Sequence, residues 1–177
     1  MKLRQFALIA GLLTAAVISG SAPNGPTFAP QGPVRTGSVE VLDLNGLRNV
    51  AFGDTEAELT RRGVLRSDVD ACGPLLTGHE TVSPVFVDDR LVLLWAGDPM
   101  QTPEGVTIGT PVTEVWFRYP SVTTLHAPRG TYRFDGLLAR RGDRGYLFLH
   151  DGQTVRNVIA GYAEWARQLF VEGAGPC

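Results

Sequence analysis

Lysine is almost absent from this chain: Lys2 is the only one, beside fifteen arginines. The sixteen cations are outnumbered by eighteen acids, for a formal net charge of −2. That balance excludes the basic footprint of a nucleic-acid-binding surface. Cysteine is scarce as well. Cys72 and Cys177 are the only two, and no C-x-x-C pair exists for thiol redox work or metal clamping. Histidine is limited to His79, His126 and His150. No G-x-S-x-G elbow, H-E-x-x-H helix or P-loop occurs, which removes the common sequence signatures of serine hydrolases, zinc proteases and nucleotide hydrolases. No apolar run reaches the ~20 residues that span a bilayer. The sequence therefore points to no cofactor and no metal.

What is present begins with an export pattern. Lys2 and Arg4 precede FALIAGLLTAAVI, and Ser19 and Ser21 supply small residues at a cleavage position. Residues 1–21 read as a signal peptide cut after Ser21, an uncleaved anchor being the alternative. The chain then meets the membrane only transiently, through this segment. Beyond it, fourteen arginines and no lysine face all eighteen acids, a codon-like bias suited to a GC-rich bacterial genome. Residues 22–38, APNGPTFAPQGPVRTGS, are rich in proline and glycine and read as an extended linker. In an exported chain an even cysteine count predicts a disulfide, here Cys72–Cys177, with two free thiols as the alternative. It would close a loop of about 100 residues and contribute about 4 to 5 kcal/mol in the chain-entropy model.

The folded part carries a worn internal repeat. LNGLRNVAFGDTEAELTRRG, residues 44 to 63, resembles TPEGVTIGTPVTEVWFRYP, residues 102 to 120. Aligning Gly53 with Gly109 sets Phe52 on Ile108, Asp54 on Thr110, Glu58 on Glu114 and Arg62 on Arg118. Each copy predicts a short extended lead-in, a glycine turn and an amphipathic helix. Thr55 with Glu58 has capping-box spacing. In the second copy Thr110 is the expected N-cap, followed by Pro111. Val112, Val115, Trp116 and Tyr119 have the spacing of one buried face. PVFVDDRLVLLWAG predicts a hairpin turning at Asp88-Asp89. Four strands are expected after Pro120, within SVTTLHA, GTYRFDGLLA, GYLFLHDG and TVRNVIAGYA. AEWARQLF, residues 163 to 170, fits either a short helix or a final strand.

The predicted fold class is α+β, two tandem units, each a short helix packed on an antiparallel sheet. The first unit spans 39–101 and the second 102–177. One sheet face is left uncovered in this arrangement. The repeated helix start and the sheet that follows resemble the tandem modules of secreted β-lactamase-inhibitor proteins. They are also similar to the small outer-membrane lipoproteins that assist barrel assembly. GTPVTEV and EGAGPC further resemble secreted actinobacterial proteins. The chain departs from the inhibitors in having one cysteine pair and not one per unit, and from the lipoproteins in lacking a lipid-modified cysteine. The resemblance implies a fold; no binding residue is carried over.

Candidate functional residues are few. His79 and Glu80, with Asp68 and Asp70, read as a solvated loop in preference to a metal site. His126 reads as a surface residue, and His150 as bonding to its own turn. Arg141-Gly142-Asp143 reads as a solvated turn. Tyr132 and Phe134 alternate onto one strand face, as do Tyr146 and Phe148. Directed away from the helix, these four form a ledge for a protein partner; directed toward Trp116 and Tyr119, they are core, the preferred reading. The expectation is a secreted, non-enzymatic protein-binding module, inhibition being one form it takes, acting on an unidentified extracytoplasmic protein. The alternatives are an extracytoplasmic hydrolase with a His-carboxylate pair and a structural envelope component.

Overall fold

The asparagine- and aspartate-rich start of the domain folds as a series of short ribbons. The computed structural model describes residues 39–67, 73–131 and 133–173. In chain order these form β1 (Glu40–Val41), β2 (Gly46–Leu47), β3 (Val50–Ala51), α1 (Glu56–Arg61), β4 (Leu65–Arg66) and β5 (Leu75–Leu76). The hairpin β6 (Val82–Val87) and β7 (Arg90–Ala96) follows, then β8 (Met100–Gln101) and α2 (Val112–Arg118). The chain continues with β9 (Thr123–Leu125), β10 (Asp135–Arg141), β11 (Arg144–His150), β12 (Val155–Tyr162) and α3 (Ala163–Glu172). Cys72, Cys177 and Tyr132, with the export segment and linker, lie outside the described residues.

The architecture is α+β around one antiparallel sheet of six strands, ordered β6-β7-β12-β11-β10-β9. The strands expected for two separate sheets thus enter the same one, because β7 pairs with β12. Alternation along the strands builds two cores. Leu91, Leu94, Leu137, Phe148, Val155 and Val158 face Leu59 of α1 and Val115 of α2. On the opposite face Leu93, Leu138, Leu147 and Ile159 meet Ala166, Leu169 and Phe170 of α3. The sheet face expected to be bare is therefore covered. Ala163, Ala166, Leu169 and Phe170 recur at helical spacing, which makes 163–172 a helix and not a last strand. Gly173 closes it in the left-handed conformation, φ 72°, with its N–H donating to Leu169 O at 2.9 Å.

The two helix starts make the same backbone contacts. Gly53 and Gly109 both have positive φ, 97° and 86°. Gly53 N donates to Leu91 O at 2.9 Å, and Leu91 N to Asp54 O at 2.9 Å. Likewise Gly109 N donates to Val155 O at 2.8 Å, and Val155 N to Thr110 O at 2.9 Å. Isolated bridges join Thr55 to Arg90 and Pro111 to Thr154. Each helix is thus docked to the start of the second strand of a hairpin. Both hairpins also slip register at the same place, between Val85 and Phe86 and between Leu149 and His150. The slips leave Val92 and Arg156 as corresponding bulge residues. Where β7 meets β12, Trp95 pairs with Ile159, flanked by Ala96 with Val158 and Leu94 with Ala160. This pairing is unchanged when the two strands are exchanged, so it has a local twofold centre at Trp95 and Ile159.

The helix starts differ in their caps. Thr55 accepts a hydrogen bond from Glu58 N at 3.1 Å, as capping-box spacing predicts. Thr110 is not the cap of α2. Its Oγ1 accepts from Thr107 N at 3.0 Å, closing the preceding turn, and Pro111 occupies the cap position without a side-chain bond. Across the sheet, β6 is an edge strand among the described residues. Gly97 N donates to Thr81 O at 2.8 Å, so alternation turns the backbone of Val82 and Pro84 outward. Val82 N is already used by His79 O at 2.9 Å, and proline has no N–H, which blunts this edge against strand addition. Among the described residues no helix is long and apolar enough to cross a membrane.

Candidate functional site

Helix α2 places its side chains by simple rotation. Val115 is fully buried, and Phe117, two residues on and ~200° around the axis, points to solvent. Phe117 is 86% exposed and its neighbour Trp116 42% exposed. Trp116 is therefore not on the buried face, contrary to the spacing argument. The buried stripe of a seven-residue helix is narrow, and Val112, Val115 and Tyr119 fill it. In α1 the corresponding positions are Thr60 and Arg61, both exposed. The same helix docked in the same way thus tolerates polar residues there. Burying a phenylalanine is worth ~1.5–3 kcal/mol, and the fold leaves most of this unused at Phe117.

A cleft of about 190 Å³ opens beyond the C-terminal end of α2, lined among others by Glu104, Arg118, Tyr119, Ser121, Arg140 and Arg141. Arg118 donates to Glu114 and to the Glu104 carbonyl. Arg140 donates to Gly142 O at 2.8 Å and pairs with Glu164 at 2.6 Å. Arg141 makes no hydrogen bond or ion pair to the described residues, and Glu104, the acid in the same lining, is held through its carboxylate by the Tyr119 hydroxyl. The Tyr119 hydroxyl donates to the Glu104 carboxylate, and the Tyr146 hydroxyl to Leu42 O at 3.2 Å. Burial, reinforced at Tyr119 by the Glu104 carboxylate, raises both phenols far above the ordinary tyrosine range. They are donors here, not bases.

Comparison with known proteins gives no matching family model, no matching curated protein and no matching solved structure. Assignment of the site therefore rests on its own geometry.

The described residues of the alternative ledge are split between the two sheet faces. Tyr146 and Phe148 are 2% and 0% exposed and meet the Tyr119 ring in tilted contacts under α2, at centroid distances of 5.8 and 5.2 Å. They are core residues. Phe134 is 39% exposed on the other face, beside Trp95, Leu149 and Phe170 in a groove of about 240 Å³. Arg133 caps that groove, 5.5 Å from the Phe170 ring centroid. Tyr132 lies outside the described residues. The exposed aromatics that matter were hidden in the sequence, since Trp116 fits a buried stripe and only the depth of helix docking reveals otherwise.

The histidines are not brought together. His79 is 8% exposed, not solvated, with Nδ1 2.6 Å from Glu40 Oε2. Arg48 pairs with the other oxygen of Glu40. Parallel pairing of β1 with β8 brings this carboxylate within reach, a contact of distant segments that local sequence does not signal. His79 lines none of the clefts described above. His126 is exposed, 3.6 Å from Asp135. His150 Nδ1 accepts from Gly152 N at 3.1 Å within its own turn, and its buried Nε2 has no hydrogen-bond partner among the described residues. Burial lowers the His150 pKa, outweighing the raising influence of Asp135 and Asp151. Among the described residues no group of three His, Cys, Asp or Glu has the geometry of a metal site. Arg141-Gly142-Asp143 forms the exposed β10–β11 turn, with Gly142 at φ 64°.

Proposed function

We propose that this chain is a secreted, non-enzymatic protein-binding module built from two copies of one helix-and-hairpin unit. The export pattern of residues 1–21 supports secretion. The matched hydrogen bonds at Gly53 and Gly109, and the matched bulges at Val92 and Arg156, support the two-copy reading. The observation that carries the binding function is the exposure of Phe117, with Trp116 beside it. In the two-copy reading the first copy carries Thr60 and Arg61 at these positions, which supports a role for the aromatic pair beyond folding. Large exposed aromatics are also the residues that anchor protein interfaces.

The first copy also supplies the test. The double variant Trp116→Thr, Phe117→Arg places on α2 what α1 already carries. It is expected to stay folded and to lose about 1–2 kcal/mol in urea unfolding, from the packed part of Trp116, which is 42% exposed. The immobilised wild-type protein, offered secreted and envelope fractions of the source organism, is expected to capture a partner saturably. Loss of an aromatic anchor then weakens capture by about 2 kcal/mol or more, roughly thirtyfold. A stable double variant that holds the same partner with unchanged affinity would sink the reading. Absence of any saturable partner for the wild type would favour the structural envelope role.

A further inference from the structure

We propose that the cleft beyond α2 receives a carboxylate of the partner, so that the docked surface combines an apolar pocket for Phe117 with an acidic residue for Arg141. The proposal rests on the protein-binding reading above and names the chemistry of that partner. Three arginines line the cleft, and Glu104 is the only acid among its lining residues. Arg118 and Arg140 are each held by an acid outside that lining, Glu114 and Glu164. Their planes are thereby fixed. Arg141 stands at the exposed end of β10 with all its donors unused by the described residues. The Ser121 hydroxyl, also in the lining, makes no hydrogen bond to the described residues and supplies a second donor.

A guanidinium offers two parallel N–H groups, the geometry that a carboxylate accepts in bidentate fashion. The neighbouring wall is aromatic, formed by Tyr119 and Tyr146, which lowers the local dielectric and strengthens such a bond. About 190 Å³ admits an aspartate or glutamate side chain but not a folded element. Glu104 does not fill this role from within. Its carboxylate accepts from Tyr119, and Arg118 holds its main-chain carbonyl. The cleft is also continuous in chain with the aromatic pair, since Arg118 follows Phe117 directly. The proposal places one acidic segment of the partner across the end of α2, with its apolar side chain on Phe117 and its carboxylate at Arg141.

The test is an NMR titration of the 15N-labelled protein with hexaglutamate, hexaglutamine and inorganic phosphate as separate probes. Hexaglutamate is expected to shift the signals of Arg118, Ser121 and Arg141 saturably, with a Kd in the range of about 1 mM. Hexaglutamine is expected to shift none of them. Arg141→Gln should weaken hexaglutamate by about tenfold or more, whereas Phe117→Ser should leave it unchanged, because the probe has no apolar side chain and this substitution adds no charge. No saturable shift by about 10 mM, or an Arg141→Gln variant that binds as well as wild type, overturns the proposal. An equal response to phosphate overturns it in favour of a general anion site. Unchanged hexaglutamate binding beside a partner insensitive to Phe117→Ser would retain the cleft and reject the aromatic anchor, so the two readings fail separately.

Discussion

Arg144 is the cation that ties the amino-terminal ribbons to the sheet, and its replacement by methionine should be costly. Its guanidinium lies 5.2 Å from the Phe52 ring centroid and 3.9 Å from that of Tyr162, with one aromatic from each end of the described chain. Nη1 donates to Leu44 O at 3.4 Å and Nη2 to Phe52 O at 3.5 Å. The side chain is 22% exposed, so these contacts are largely desolvated. Each cation–π contact at such a site contributes ~1 kcal/mol. The two long carbonyl bonds together add ~0.5 kcal/mol. Methionine retains part of the stem packing and none of the charge. The expected loss is about 2–3 kcal/mol in urea unfolding, or roughly 6–12 °C in Tm for a domain of this size. Arg141→Met, on the same hairpin but exposed, is the control and should stay within about 0.5 kcal/mol. A double-mutant cycle with Tyr162→Leu should show a coupling of ~1 kcal/mol. A loss below about 0.5 kcal/mol for Arg144→Met, or no coupling to Tyr162, would refute the view that this residue joins the two segments.

Other consequences are equally open to measurement. His150 has a folded-state pKa below the ordinary imidazole value, so below pH ~6.5 the unfolded chain binds a proton that the folded chain refuses. Its contribution therefore lowers stability as pH falls from about 7 toward 5, and His150→Phe, which copies Phe86 of the first hairpin, should flatten that slope; an unaltered slope would remove His150 as the cause. Gly161 sits at φ 143°, where an added Cβ would lie 2.2 Å from Val92 O. Gly161→Ala should thus cost ~3 kcal/mol or more by separating β12 from β7, and a smaller loss in thermal unfolding would show that this junction yields. Intact-mass analysis before and after reduction should find Cys72 joined to Cys177 in the secreted protein, whereas two alkylatable thiols would leave the chain's end untied.

The α+β class, the hairpin at Asp88-Asp89 and the strands before and after Gly142 follow from local patterns. Two adjacent aspartates at φ 48° and 61° make a tight turn that alternating apolar strands then extend. The Gly53 and Gly109 alignment was visible because both glycines need positive φ, a constraint that survives divergence of the side chains around them. The likeness of the hairpins was harder to read. Leu94, Trp95 and Ala96 correspond to Val158, Ile159 and Ala160, but apolar strands are interchangeable as text, and only the shared bulge fixes their correspondence.

The amino-acid sequence by itself determined where the chain turns, which segments coil and which residues seek the interior, because those depend on backbone sterics and on apolar periodicity within a few neighbours. It did not determine how many sheets the strands would make. That depended on β7 meeting β12, a pairing between segments far apart in the chain. Nor did it determine which aromatics would face water. Tyr146 and Phe148 turn inward because α2 lies over their face of the sheet, while Phe117 turns outward because the same helix buries only one narrow side. His79 finds Glu40, and Arg144 finds Phe52 and Tyr162, by the same long-range closure. Burial is a property of the packed whole, and the tertiary structure alone decided which side chains were left at the surface.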